Sequence, residues 1–536
     1  MDPEWSRLDP RTIAVNLMRT AGSLVPLFIG LVVLGNRSVT DSVISLALLA
    51  VATVAVAAAD VVRWFRTSYR ITDERVELRG GLVTRTHVTI PRDRVRRVET
   101  TARLLHRVLG LTVLTVGTGE RGMGEGDTLR IDAVRVAHAA ALRAALLAPP
   151  DQITAVAGGA PGAASASGAE GSVGGTGTEG GVGGTGIGTT GAPGLPGAPQ
   201  EQVLERFRWS WAPYDVLSYW TLLVPLLLLS VLFQFVSAAG VDPLGADVVG
   251  QGSGWLTDAP LGLAVAVVVV GGLAVGVIGS FALFVSTWWG YMLVREPNRT
   301  LRLQRGLFTT RVTTIDESRI RGAEFRQSYL HRRVHAGRLL VIAQGLSGQE
   351  GATSDRSDAL APPLPVASAD RLTALALGLP GSSPLGATLH RHPVGALRRR
   401  LVRAALTTLA VALLTGLAIG PGPAPLAAAA LAAVFGALAL LYAADTYRGL
   451  GHSVSGSFLV TRQGAALRRT TALACQGVIG WHVRQSWFQR RRGLATLVAT
   501  TAAGSGAYEV LDVELSTAVA VADAATPGLL TPIIDR

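Results

Sequence analysis

The sequence predicts a membrane protein of mixed class, α-helical hairpins plus α+β. Three repeats of a two-span hairpin are each followed by a small β-sandwich or barrel with a C-terminal helix. Two observations carry this. The first is a sentence written three times: RGGLVTRTHVTI from Arg79, QRGLFTTRVTTI from Gln304 and RQGAALRRTTAL from Arg462. Aligned on Gly81, Gly306 and Gly464, the copies place Ile90, Ile315 and Leu473 together, then Val95, Ile320 and Val478. ARLLHRV from Ala102, QSYLHRR from Gln327 and QSWFQRR from Gln485 follow. A shared glycine comes next at Gly110, Gly337 and Gly493, with two extra residues in the second copy. An internal repeat settles architecture before any local argument. The second observation is six apolar runs, one pair ahead of each copy.

The pairs set the domains. Hairpins are expected over 12–62 (Thr12–Leu34 and Ser42–Val62), 215–289 (Asp215–Val236 and Leu261–Val285) and 401–444 (Leu401–Gly420 and Ala424–Ala444), and modules over 63–150, 290–380 and 445–530. Each run holds roughly 20 apolar residues, enough to cross about 30 Å of hydrocarbon. Six such runs exceed what buried helices of a soluble core would use. Only 16% of residues are charged, against about 25% in soluble domains. The first run lacks a small-residue cleavage site and is followed at once by a second, so it is not a removable signal. The single cysteine, Cys475, excludes an internal disulfide and fits a reducing compartment. All 49 basic residues are arginine, a coding bias with no physical meaning of its own.

Arginines flank the pairs on one side. Arg7, Arg11 and Arg19, Arg63, Arg66 and Arg70, Arg206 and Arg208, Arg295 and Arg299, Arg398–Arg400 and Arg448 lie outside the hairpin turns. The turns hold little: Arg37 in the first, three aspartates in Gly240–Pro260, no charge in Gly420–Pro425. The positive-inside rule then puts both termini and all three modules in the cytoplasm of a cell membrane. The spans carry no mid-membrane ionisable group of the kind that transporters use. Gly272, Gly276 and Ser280 form a small-residue stripe suited to close helix packing, echoed by Ala432 and Gly436.

The first module reads as strands over Tyr69–Leu78, Leu82–Ile90, Val95–Thr100, Leu111–Val116 and Thr128–Ala133. A short apolar turn or helix falls at Leu104–Leu109, and a closing helix at Val134–Leu147. The closing helices of the later copies are expected at Ala367–Leu377 and Ser516–Ala525. The third copy is expected to be divergent and the most distorted. The Gly-rich stretch 158–199 reads as a flexible linker that lets the first module move against the second, and Ser347–Ser357 as an exposed loop.

These features together (hairpin, G-L-[FV], T-x-I strand, Q-S-[YW]-[LF]-x-R-R and a glycine beyond) resemble bacterial pleckstrin-homology (PH)-like multi-pass membrane proteins of the YdbS/YdbT type. The resemblance implies a membrane-anchored binding or scaffolding protein and carries over no catalytic residue. It also implies no cofactor.

Other motifs point nowhere specific. Gly117, Gly119 and Gly122 match G-x-G-x-x-G, but a hairpin follows where a dinucleotide site needs a helix. His390 and His392 lack further ligands for a metal. His106 and His331 share a repeat position with Gln489, an exchange that a catalytic base would not tolerate. Gln327, Ser328, Gln485 and Ser486 read as satisfying backbone groups at a turn. Leu104, Tyr329 and Trp487 beside them are expected to pack inward. Net charge of +12 follows from topology, without the basic-aromatic interleaving of a nucleic-acid binder. The expected function is non-enzymatic: a scaffold whose modules bind one another, another membrane protein or anionic lipid headgroups, through the row Arg295, Arg299, Arg302 and Arg305. The alternative is an accessory or regulatory subunit of an export or channel system.

Overall fold

The computed structural model describes residues 5–19, 54–80 and 86–117 (apart from 56, 57, 63, 73, 93, 94 and 96), 128–147, 201–217, 261–344, 359–419 and 425–528. It adds the isolated positions 51, 221, 225, 227, 230, 234 and 237. Gly81, most of the first hairpin, the 158–199 linker and the 347–357 loop lie outside the described residues.

Each module folds as two antiparallel sheets and a helix. Module 1 has β1 (Ser6–Arg7), β2 (Ser68–Ile71), β3 (Arg75–Gly80) and β4 (Thr86–Pro91), then β5 (Arg97–Arg103), the short helix α1 (Leu104–Val108), β6 (Leu111–Gly117), β7 (Thr128–Arg135) and α2 (Val136–Leu147). The single strand expected over Tyr69–Leu78 is two. Thr72 turns the chain by donating its N–H to the Arg75 carbonyl at 2.9 Å and accepting the Arg75 N–H on Oγ1 at 3.0 Å.

Module 2 repeats the order: β8 (Gln202–Arg206), the long helix α3 (Leu261–Trp288), β9 (Met292–Arg295), β10 (Thr300–Arg305), β11 (Thr309–Asp316), β12 (Ile320–Ser328), α4 (Tyr329–Arg333), β13 (Ala336–Ala343), β14 (Leu364–Pro365) and α5 (Val366–Ala376). Module 3 follows the long helices α6 (Val394–Ile419) and α7 (Pro425–Arg448). Its elements are β15 (Gly451–Ser455), β16 (Phe458–Gln463), β17 (Leu467–Ala474), β18 (Val478–Arg484), α8 (Trp487–Arg490), β19 (Leu494–Thr501), β20 (Ala507–Glu514) and α9 (Leu515–Ala525). This third copy, expected to be distorted, is regular. Its opening hairpin closes through Gly456 at φ 57°, which glycine adopts without steric cost.

The core of a module lies between its two sheets. In module 1, Val76 and Ile90 of the first sheet pack with Leu114, Leu129 and Ile131 of the second and with Ala139 and Leu146 of α2. In module 2 the end of α3 joins the core through Phe284 and Trp288. Strand alternation explains the choice of residues. On β10, Leu301, Leu303 and Arg305 are buried while Arg302 and Gln304 are half-buried on the other face.

Among the described residues three helices are long and apolar enough to cross a membrane: Val270–Trp288, Val394–Leu417 and Ala429–Arg448. Their apolar side chains stay exposed, as at Ile278, Leu413 and Leu441, a surface that water disfavours. Helices α6 and α7 pack antiparallel. Gly436 lets Thr408 approach, and the Tyr447 hydroxyl donates to the His392 carbonyl at 3.0 Å. On α3, a Cβ at Gly276 would collide with the Thr221 carbonyl, and Ser280 Oγ lies 2.9 Å from Thr221 Oγ1. The stripe therefore packs within the chain, although Gly272 faces open space.

The sheets do not end at module boundaries. β5 of module 1 pairs with β11 of module 2, so that one seven-stranded sheet runs through both. β12 of module 2 pairs in the same way with β17 of module 3 in a six-stranded sheet. Module 1 is thus joined to module 2 through a shared sheet.

Candidate functional site

Each module turns at the same place, between its fourth and fifth long strands, and in modules 2 and 3 the turn is built from the Gln-Ser element. Gln327 Nε2 donates to the Ala336 carbonyl at 2.9 Å. Gln485 Nε2 donates to the Leu494 carbonyl at 2.8 Å. Both carbonyls open the next strand, so the amide closes the turn nine residues on. Ser328 Oγ caps α4 by accepting the His331 N–H at 3.2 Å. Ser486 Oγ accepts the Gln489 N–H at 3.4 Å while Gln489 Oε1 accepts the Ser486 N–H at 2.9 Å, a reciprocal capping box. In the first copy Arg103 caps nothing with its side chain.

The exchange of His331 for Gln489 also has a physical reason. His331 is buried; its Nε2 faces the Tyr214 carbonyl at 2.8 Å and its Nδ1 faces Ser328 Oγ at 2.6 Å. A carbonyl only accepts, so Nε2 carries the proton and Nδ1 accepts from the serine. Burial pushes the His331 pKa below its ordinary value, which keeps the ring neutral. Gln489 offers the same pairing of donor and acceptor, donating to Thr496 Oγ1 at 2.9 Å and Asp512 Oδ1 at 2.8 Å. His106 is likewise shifted down by burial.

The turn closes on a left-handed residue. Gly110 (φ 70°) and Gly493 (φ 63°) hold this position, and in module 2 it is held by His335 at φ 49°. The hydrogen bonds agree. The N–H groups of Gly110, His335 and Gly493 reach the carbonyls of Arg107, Arg332 and Arg490, and their carbonyls accept from Val136, Val366 and Leu515. The second copy therefore has no insertion here, and Gly337 is not the equivalent of Gly110 and Gly493. It lies in β13, where a Cβ would meet the Arg326 carbonyl and the Phe325 ring at 2.7 Å. The other aligned glycines, Gly306 (φ 110°) and Gly464 (φ 95°), hold the earlier turn.

What the turn presents corrects a second expectation. The apolar residues do not pack inward. Leu104 and Val108, Tyr329 and Leu330, and Trp487 and Phe488 are all exposed, Trp487 at 52%. Their place in the turn was visible in the repeat; their outward direction was not, because a helix of four or five residues has no periodicity to read.

Arginines surround these side chains. The Arg332 and Arg333 guanidinium groups sit 5.2 and 5.4 Å from the Tyr329 ring centre, and that of Arg491 sits 4.0 Å from the Trp487 ring centre. Arg332 also binds Asp445 at the end of α7 with two nitrogens, at 3.1 and 2.7 Å. In module 1 the same position, Arg107, donates to the Leu307 carbonyl at 2.6 Å, beside the end of α3. The turn of one module is thus fastened next to the long helix of the following one. Between α4 and α7 a cleft is lined by Tyr329, Arg333, Tyr442, Asp445, Arg448 and Arg468. Within it, the Nε atoms of Arg332 and Arg468 are buried without a hydrogen-bond partner among the described residues.

The row Arg295–Arg305 is not brought together. Arg295 ends β9, where it binds Glu317 and the Leu375 carbonyl. Arg299 lies in the tight turn after it at φ 58°. Arg302 binds Glu201 at 3.0 Å and Glu296 at 3.2 Å, and Arg305 is buried 4.4 Å over the Trp288 ring. Arg299 thus stands outside the strands that carry Arg295, Arg302 and Arg305, and the acidic neighbours compensate most of the row's charge. No group of three or more His, Cys, Asp or Glu able to hold a metal occurs among the described residues.

The repeated module now compares with known families. A model described as bacterial PH domain matches residues 24–149, 228–378 and 404–525. The chain belongs to the bacterial PH domain family. Each match takes in one copy of the repeat, so the turn described above recurs in all three bacterial PH domains. No curated protein and no solved structure matches the chain.

Proposed function

We propose that the protein is a non-enzymatic, multi-pass membrane scaffold of the YdbS/YdbT type, with three cytoplasmic PH domains that bind anionic lipid headgroups at the bilayer surface. The observation that carries this is the outward turn, apolar at its tip and ringed by arginine, beside the end of a long apolar helix. Aromatic side chains favour the membrane interface, and arginines reach from there toward phosphate. Tyr329, Leu330, Trp487 and Phe488 would enter the interface, and Arg333, Arg448 and Arg468 would face headgroups in the α4–α7 cleft. Each arginine near an anionic surface contributes about 1 kcal/mol. The cleft holds four arginines with Arg332, against the one carboxylate of Asp445.

The test is lipid retention by the full chain. Native mass spectrometry of the detergent-purified protein should show phosphatidylglycerol held in preference to phosphatidylcholine. Arg448→Ala with Arg468→Ala should remove most of that preference, and Arg299→Ala should not. Equal retention of the two lipids by the wild type would end the headgroup reading.

A further inference from the structure

The joint between modules is made twice with one register, and among the described residues its two halves recur at sheet edges in modules 1 and 3. In the first joint Arg97 pairs with Ile315, and the ladder runs to Arg103 and Thr309. In the second, Gly322 pairs with Leu473 and the ladder runs to Ser328 and Leu467. These are the same seven repeat positions, counted from Gly306 and Gly464. The same salt bridge crosses both, Arg311 with Glu99 at 2.8 Å and Arg469 with Glu324 at 4.0 Å. Module 3 has the donating strand, β18, at a sheet edge, and module 1 has the receiving strand, β4, at another. Neither pairs beyond its own sheet among the described residues.

From this we infer that β18 of one copy pairs with β4 of a second copy, in a head-to-tail joint equivalent to the two internal ones. Counting positions fixes the register: Gly480 opposite Ile90, Trp481 opposite Thr89, His482 opposite Val88, Val483 opposite His87 and Arg484 opposite Thr86. β18 has the edge features of β12, which does pair: an arginine at the same position (Arg484, Arg326) and a bulge just before the paired stretch (Val478/Gly480, Ile320/Gly322), with no proline. Pro91 of β4 falls just outside the paired stretch. The occupant is argued from a second feature as well. Arg107 and Arg332 each fasten the turn to the following module. Their equivalent, Arg490, is exposed and makes no hydrogen bond or ion pair of its side chain with any described residue, and the inferred joint would bring the long helix of a second copy beside it. The salt bridge is replaced on both free edges together, its Glu position being His482 and its Arg position Thr86, so that no like charges face each other. A heterologous contact of this kind closes into a ring or continues as a row, and the common membrane plane keeps both edges at one level.

The experiment uses two tagged full-length chains in mixed membranes, one with Val483→Cys and the other with His87→Cys. Oxidation should give a disulfide-linked pair carrying both tags. Val483→Cys with Val88→Cys, whose side chains would leave opposite faces, should give none. In parallel, His482→Glu with Thr86→Arg rebuilds the internal salt bridge and should lower the dissociation constant about two- to fivefold. His482→Arg with Thr86→Arg should raise it, and an unchanged melting temperature in each variant shows that folding is intact. Absence of the mixed-tag product overturns the proposal. So does equal crosslinking of the two cysteine pairs, or a product formed only within one chain when both cysteines are placed together.

Discussion

His335 and Gly493 occupy the same left-handed backbone position, at φ 49° and φ 63°, in modules whose turns are otherwise built alike. A side chain there costs roughly 1–2 kcal/mol. Gly493 has open space around a built Cβ, so Gly493→Ala tests backbone strain alone. It should destabilise the third module by about 1 kcal/mol, read as a lower melting temperature of the full chain in detergent. His335→Gly should raise the melting temperature or leave it unchanged. A drop on His335→Gly would mean that the imidazole contributes more than its strain.

Asp512 gathers three donors. Arg399 and Arg400 both bind it, and Gln489 donates to Oδ1 at 2.8 Å. Its carboxylate is 2% exposed. Removing one side of a buried pair leaves the other uncompensated and costs about 3–5 kcal/mol; the partly exposed arginines place this site toward the lower end. Asp512→Ala should therefore unfold module 3 at much lower temperature. Asp512→Asn keeps the φ 54° backbone tolerable and separates charge from strain. It should recover only part of the loss.

Much of this was legible in the sequence. The repeat placed the strands and closing helices to within a few residues, because alternation and turn glycines recur three times. The Gln-Ser turn was readable as a backbone-satisfying element, and Gln327 and Gln485 act so. What escaped has physical causes. The continuous sheets depend on edges that meet between modules, and no local pattern marks which edge a strand such as β11 offers. His335 was hidden because a glycine two residues on, Gly337, offered a more familiar match. The basic row Arg295–Arg305 read as available for headgroups because its partners are brought in by the fold: Glu201 and Glu317 are distant in sequence, and Glu296, inside the row, pairs with Arg302 only across the turn between β9 and β10.

The histidines where module 2 meets module 3 should make stability fall in mild acid. His452 is buried, with Nδ1 3.1 Å from His392 Nε2. Burial, then the neighbouring His392 and His390, lowers its pKa to about 4. His392 is lowered too, chiefly by burial. The unfolded chain takes up a proton near the ordinary value of 6.5, whereas the folded chain refuses it until about 4. Stability is therefore full above pH 6.5 and decreases as pH falls toward 4, by up to about 1.4 kcal/mol per unit for one proton. Carboxylates titrate in the lower part of this window. The informative measurement is the difference in melting temperature between wild type and His452→Asn against pH. It should narrow between pH 6.5 and 5; a constant difference would remove His452 as the cause.

The outward turn makes one last prediction, about depth. Trp487 is half exposed at the tip of α8, with Phe488 beside it and the Arg491 guanidinium over its ring. If the tip enters the bilayer interface, a lipid brominated near the headgroup should quench Trp487 more than one brominated near the chain end. Other tryptophans contribute background, Trp209 and Trp289 among them, so the signal is the quenching lost on Trp487→Phe. Phe keeps the apolar surface and removes only the fluorophore, which leaves the geometry of the turn in place. Trp487→Glu with Phe488→Glu should then loosen the tip from the interface, since a carboxylate there resists desolvation. The expected result is greater access of a water-soluble quencher such as iodide to a reporter fluorophore placed at Arg492. Quenching by iodide that is already complete in the wild type would show the turn to be solvated, and the headgroup contacts of Arg333, Arg448 and Arg468 would then have to form without it.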